Sequence, residues 1–229
     1  MSPADAGSIL QAAGASTNMG TAAGAGPSAT IDQSGLSTSY TSGVTGFDVF
    51  IASNPTHAGQ SGTNIWIGSS ASPTGNFDFD LGGSYAIQSF ALWNPGSDYF
   101  SNMIGFNLLG DDNAAFSSPT TLLSGQSANP NTGPSFAALA EVFAFAPTTA
   151  SFVRLEITSH NGSASKSFGE AAFELSSVAE PSSFLSSSSA GIGLIGRAWR
   201  RSRPRRGPHL LRPSVRTRAG RRPFRAPAS

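Results

Sequence analysis

Phe77, Phe79 and Leu81 alternate with Asp78 and Asp80. That two-residue period belongs to a strand with one face in a core and the other in water. The period recurs in short runs, and no run is long enough or spaced correctly for an amphipathic helix. A Gly82-Gly83-Ser84 turn leads into YAIQSFALW at 85–93, which is dense enough for a central strand. Ile104, Phe106 and Leu108 alternate ahead of the turn GDDN at 110–113. Leu139, Glu141, Phe143 and Phe145 share one strand face, as do Val153, Leu155 and Ile157, and Ala171, Phe173 and Leu175 end the series. About eight strands joined by turn-rich connections predict an all-β chain, an eight-stranded antiparallel β-sandwich or jelly roll. Phe79, Leu81, Leu92, Phe106, Val153, Leu155 and Phe173 are its expected core.

The strand pattern occupies residues 31–176. Residues 1–30 are mostly Ala, Gly, Ser and Thr, with too little apolar surface to offset ordering entropy, and read as a flexible leader. They show neither the basic start nor the apolar block of a signal peptide. Charge divides the chain at the other end. All thirteen acids lie in residues 1–196 beside two bases, Arg154 and Lys166, a net charge of −11; residues 197–229 hold twelve arginines and no acid. Such asymmetry separates a body from a tail. Residues 177–201 form a Ser-rich connecting segment, and 202–229 an Arg/Pro tail expected to be disordered. The tail lacks the interleaved aromatics of a single-strand reader, so no specific nucleic-acid partner is expected.

The chemistry-bearing residues argue against catalysis. There is no cysteine, and the three histidines, His57, His160 and His209, are far apart and show no HExxH spacing. No GxSxG is present. Gly191, Gly193 and Gly196 match GxGxxG spacing but follow no strand. Asp78 and Asp80 read as a solvated strand face, and Arg154 as half of an internal ion pair with Glu156, Glu170 or Glu174. Sugar recognition needs an exposed aromatic and polar groups that bond hydroxyls. The loop at 94–102 offers Asn94, Asp98, Tyr99 and Phe100; the stretch after residue 52 offers His57, Gln60 and Asn64, with Trp66 beyond. The competing placement puts Trp66 and Trp93 in the core and Tyr99 or Phe100 over the sandwich edge.

NFDFDLGGSYAIQSFALWN (76–94), IGFNLLGDDNAAF (104–116), FAPTTASFVRLEITSHNGS (145–163) and FGEAAFEL (168–175) resemble, in order and spacing, the central and closing strands of discoidin-like domains of the galactose-binding-like superfamily. The likeness covers about 100 residues and extends back toward IDQSGLSTSYTSG at 31–43. It implies an eight-stranded jelly roll that binds ligand, often carbohydrate, through loops at one end. It also implies a structural calcium held by an early loop and a glutamate of the last strand. Glu170 matches that glutamate, and Asp48 is a candidate second ligand. Residues 177–201 resemble a PEP-CTERM sorting signal, with Ala179, Glu180 and Pro181 at the Pro-Glu-Pro position. That resemblance implies an exosortase-type processing enzyme, a passing membrane contact and an extracellular or cell-surface location. The apolar stretch at 182–196 is too broken by serine to span a bilayer, so the chain as written lacks both a signal peptide and a competent anchor helix. The reading is a non-catalytic bacterial surface or extracellular protein that binds a glycan, exopolysaccharide or extracellular matrix. Its alternatives are a structural biofilm protein without a defined ligand and a glycan-active hydrolase.

Overall fold

Ten strands, one short α-helix and one 3-10 helix (Pro27–Thr30) make up the computed structural model, which describes residues 7–22, 26–59, 63–69, 74–95, 102–131, 137–161 and 166–177. In chain order they are β1 (Ile9–Leu10), β2 (Gly14–Thr17), α1 (Phe47–Ala52), β3 (Thr56–His57), β4 (Trp66–Ile67), β5 (Gly75–Trp93), β6 (Gly105–Asp111), β7 (Thr120–Ser127), β8 (Ala138–Ile157), β9 (Ser167–Phe168) and β10 (Glu170–Leu175). The class is the expected antiparallel β-sandwich. Eight strands join in one hydrogen-bonded set, ordered β1-β10-β5-β8-β6-β7 with β2 on β5 and β3 on β8; β4 and β9 pair separately.

Two long strands build both layers. The first part of β5 pairs with β2 and with residues 152–157 of β8, whereas its second part pairs with β10 and with residues 140–150 of β8. Between the parts the register shifts at Asp80/Tyr85 and again at Ile87/Ser89. Such irregularities bend a strand and increase its twist. Gly82 sits in the bend at φ 77, a left-handed conformation that disfavours a side chain. The 82–84 turn expected from sequence is therefore a bend inside one strand.

Folding β5 and β8 over encloses the main core, and all seven predicted core residues are buried in it. Phe79 meets Phe90 and Phe173 at ring-centroid distances of 6.4 and 5.5 Å, which joins the two layers through aromatic edges. A smaller core covers the opposite face of the second layer. There Tyr40, Phe47 and Phe50 pack with Ala91, Trp93 and Ala172, so α1 and its preceding loop roof that face. This explains why 85–93 reads as an unbroken apolar run: both of its faces are buried.

The segment read as a leader departs from expectation. β1 pairs with β10 and β2 with β5, and Ile9, Leu10, Ala12 and Met19 are buried. Residues 8–17 carry little apolar area of their own. They are ordered by backbone pairing with strands already buried, which composition alone does not register. Residues 178–229, with Ala179, Glu180 and Pro181, lie outside the described residues.

Candidate functional site

At one end of the sandwich, where β5 ends and β8 begins, a hollow of about 470 Å³ is lined by Asn94, Asn129, Pro130, Asn131 and the strand start 137–141. Asn94 follows the buried Trp93 and is itself 4% exposed. Its Nδ2 donates to the carbonyls of Met103 at 2.8 Å and Asn129 at 3.3 Å. Its Oδ1 is buried and has no hydrogen-bond partner. On the facing strand, Glu141 accepts from the Asn129 backbone N–H at 2.8 Å and from Asn129 Nδ2 at 2.9 Å, which fixes its carboxylate. Asn131 Nδ2 donates to the Ala137 carbonyl at 2.6 Å. Leu139 is 56% exposed and supplies an apolar wall. Amides, a carboxylate and aliphatic surface converge, a combination suited to a polar organic ligand with apolar patches.

Of the residues predicted to contact ligand, Asn94 is in this hollow, and Asp98, Tyr99 and Phe100 lie outside the described residues. His57 and Trp66 are corrections, because both are fully buried. The His57 ring is gripped so tightly that a Cβ on Gly35 or Gly169 would fall 2.1 or 2.7 Å from it. Its Nδ1 lies 2.7 Å from the Ala58 carbonyl. Burial holds the imidazole below its ordinary pKa, outweighing the backbone bonds that favour the charged form. Trp66 packs edge-on against Phe77 and Phe168 and donates Nε1–H to the Gly20 carbonyl. It is a core residue, as the competing placement had it. Sequence reasoning missed Asn129, Asn131 and Glu141. The Asn-Pro-Asn run at 129–131 was the available signal, since it marks a loop rich in side-chain amides.

The predicted metal residues part company. Asp48 is exposed in the first turn of α1. Glu170 is fully buried under the roof. Its Oε2 accepts from the Gln33 backbone N–H at 3.1 Å, and Gln33 adopts φ 62 to make that approach. Glu170 Oε1 and the Tyr40 hydroxyl are buried without partners. Desolvation pushes the Glu170 carboxyl up to about 9, with Asp32 adding repulsion. The same burial, with the Glu170 charge, pushes the Tyr40 hydroxyl up. The acid near Glu170 is therefore Asp32, which sequence reading passed over. No group of three or more His, Cys, Asp or Glu poised for a metal occurs among the described residues.

Arg154 does form an ion pair, but with Asp78. Nε and Nη2 donate to the two carboxylate oxygens at 2.7 and 2.8 Å, and the guanidinium lies 4.0 Å from the Phe116 ring centroid. Asp78 and Arg154 are direct cross-strand partners on β5 and β8. Asp78 is thus committed to structure, while Asp80 stays exposed and accepts from the Gly82 N–H.

Neither the protein-family models nor the curated proteins give a match to this chain. Solved structures do. A family 32 carbohydrate-binding module from C. perfringens NanJ, in complex with galactose, shares 16% identity at a TM-score of 0.47, covering 70% of this chain and 91% of that one. The family 32 module of AlyQ, in complex with 4,5-unsaturated mannuronic acid, shares 19% at 0.46, covering 72% and 96%. Chitosan-binding module 1 from a Paenibacillus chitosanase/glucanase shares 16% at 0.48, covering 73% and 98%. The ligands in those structures are theirs.

Proposed function

We propose that residues 7–177 form a non-catalytic module that binds carbohydrate in the hollow at the end of the sandwich. The observation that carries this reading is the convergence in one hollow of the Asn129 and Asn131 amides, the Glu141 carboxylate fixed by Asn129, and the exposed Leu139. Each Glu141 oxygen accepts one bond from Asn129 and keeps a further lone pair for a ligand hydroxyl. Leu139 and the neighbouring alanines give the C–H face of a sugar ring something to cover. Glu141 is the one carboxylate among the described lining residues. A glycosidase needs two that flank the scissile bond. A glycan array probed with the full chain, followed by titration of the best hit, tests the reading. Binding that falls at least tenfold in Glu141→Ala is expected. Binding untouched by that change, or no binding at all, refutes it.

A calcium ion under the roof over β10 is part of the same proposal. Glu170 and Asp32 would supply hard carboxylate oxygens, and the orphaned Oε1 of Glu170 is the atom that most needs a cation. Bound there, calcium would displace the proton that the raised Glu170 carboxyl keeps at neutral pH and fasten the early loop to the last strand. The proposed setting for relatives with an intact signal is the cell surface or the extracellular medium; in this chain the 182–196 stretch is too broken by serine to be read by an exosortase-type enzyme. Fractionation of a tagged full chain in a host carrying such an enzyme tests this: an uncleaved cytoplasmic product is expected, and recovery in the envelope or medium, cleaved near Glu180, would refute it.

A further inference from the structure

A second hollow, of about 290 Å³, lies on the outer face of the first layer, where β2, the first part of β5 and residues 152–157 of β8 run side by side. It shares no lining residue with the end hollow. Asp80, Phe152 and Asp111 are direct cross-strand partners on β5, β8 and β6, so their side chains project from that face together. Phe79 and Val153, next to them in sequence, turn the other way into the main core. Gly14 stands opposite Asp80 on β2 and, having no side chain, leaves the carboxylate uncovered. Asp80 is exposed; its Oδ1 accepts from the Gly82 N–H at 2.8 Å, and its Oδ2 accepts from no described residue. Phe152 is half-buried, and the exposed Ser16 hydroxyl stands on the rim.

The adjacent row of the same face shows what such a surface holds. The Arg154 guanidinium donates to both oxygens of Asp78 and lies over the Phe116 ring, 4.0 Å from its centroid. The loop after β6 is built to present that ring. Asp111 accepts from the backbone N–H groups of Asn113 and Ser118 at 3.1 and 3.0 Å, and Phe116 takes φ 50. Two residues along each strand, Asp80 and Phe152 repeat the carboxylate and the ring without a cation, and no described lining residue carries a positive charge. An anion would meet Asp80 with nothing to offset the repulsion. A neutral apolar group would cover Phe152 and strip water from the carboxylate. An ammonium would match the charge but has no flat face. A guanidinium has both, a planar face for the ring and a fork of N–H donors for the carboxylate. The volume lies at the small end of ligand pockets, room for one side chain.

We propose that this second hollow takes the guanidinium of an arginine side chain from a partner polypeptide, with Asp80 as its counter-charge and Phe152 as the ring it covers. The site is independent of the carbohydrate reading. A unit charge pair about 4 Å apart in water-like surroundings gives roughly a fivefold preference over a neutral ligand of the same shape.

The test titrates the full chain with N-acetylarginine amide and with its neutral citrulline counterpart, followed by chemical-shift changes. The expected result is about fivefold or tighter binding of the arginine form, a ratio that shrinks with added salt. Asp80→Asn keeps an acceptor for the Gly82 N–H and should bring the ratio close to one. Phe152→Leu should weaken the arginine form about two- to fivefold. Asp48→Asn removes the same charge from the exposed first turn of α1 and should keep the ratio. Melting curves of each variant report whether it folds. A ratio near one in the unaltered protein, or equal loss in Asp80→Asn and Asp48→Asn, overturns the inference. Free arginine brings its own carboxylate and should bind more weakly than the capped form; tighter binding of free arginine would overturn the polypeptide source. Glycan binding is read separately, so failure here leaves the end hollow untouched.

Discussion

Glu170 and Glu174 stand four residues apart on the same face of β10, and both are buried. Glu174 is fully served. It accepts from Ser89 Oγ at 2.6 Å, Gln88 Nε2 at 2.7 Å and the Gly7 backbone N–H at 3.3 Å. Glu170 accepts one backbone bond and keeps a bare oxygen beside an unpartnered tyrosine hydroxyl. The same side chain on the same strand is a structural clamp at one end and is left with an unpartnered oxygen at the other. Burial alone does not distinguish these roles; the donors around each carboxylate do.

The contrast can be broken at four points. Glu174→Leu should be the most damaging, at about 2–3 kcal/mol by denaturant titration, because Ser89, Gln88 and Gly7 lose a charged acceptor together. Glu170→Gln in chelator-treated protein should cost far less, since a carboxyl pushed up to about 9 is already neutral at pH 7 and the amide keeps its shape. Equal losses would erase the distinction. Calcium comes next: at a hundredfold excess over its dissociation constant it should stabilise the unaltered protein by about 2.7 kcal/mol, and Glu170→Gln should abolish the shift. A melting temperature indifferent to calcium and chelator would remove the ion from the account. Arg154→Met should cost about 1 kcal/mol, because its pair with Asp78 is partly solvent-screened. A loss as large as that of Glu174→Leu would show that the surface pair is stronger than its exposure implies. The smallest effect lies on the acid side. Burial holds the His57 pKa below 6.5, so the unfolded chain binds a proton there that the folded chain refuses. The stability linked to this group is complete above 6.5 and declines as pH falls. By about pH 6 the loss should be under about 1 kcal/mol, and it should disappear from the difference between the unaltered protein and His57→Gln.

Where side chains alternate, the fold was legible. Phe77 to Leu81 and Val153 to Ile157 state their buried face directly, and the main core follows from them. Where pairing rather than burial organises the chain, it was not. Gly14–Thr17 is a strand because β5 offers it an edge, and Ala138–Ile157 is one strand although Pro147 and paired threonines interrupt its pattern. The site divided along the same line. Asn94 was visible because it directly follows a strand and opens a polar loop. Asn129 and Glu141 were not, because their significance lies in hydrogen bonds between two residues twelve apart in sequence. Asp48 and Asp32 are equally acidic in sequence, and it is the left-handed Gln33, bringing the 31–40 loop onto β10, that sets Asp32 near Glu170.

The pairing of β1 with β10 also sets the order in which the molecule can be assembled. The Glu174 carboxylate holds Gly7 across 167 residues of chain, and Leu175 N–H donates to the Ser8 carbonyl at 2.9 Å. On a ribosome, Ile9 and Leu10 therefore emerge on the order of ten seconds before their partner strand exists. Until then β5 lacks its β10 neighbour, and the apolar run 85–93 keeps an open edge. Pairings this distant in sequence make folding slow. The interval before residue 175 is made is thus the period in which a nascent chain of this protein is most exposed to wrong strand partners, and in which a chaperone has most to cover.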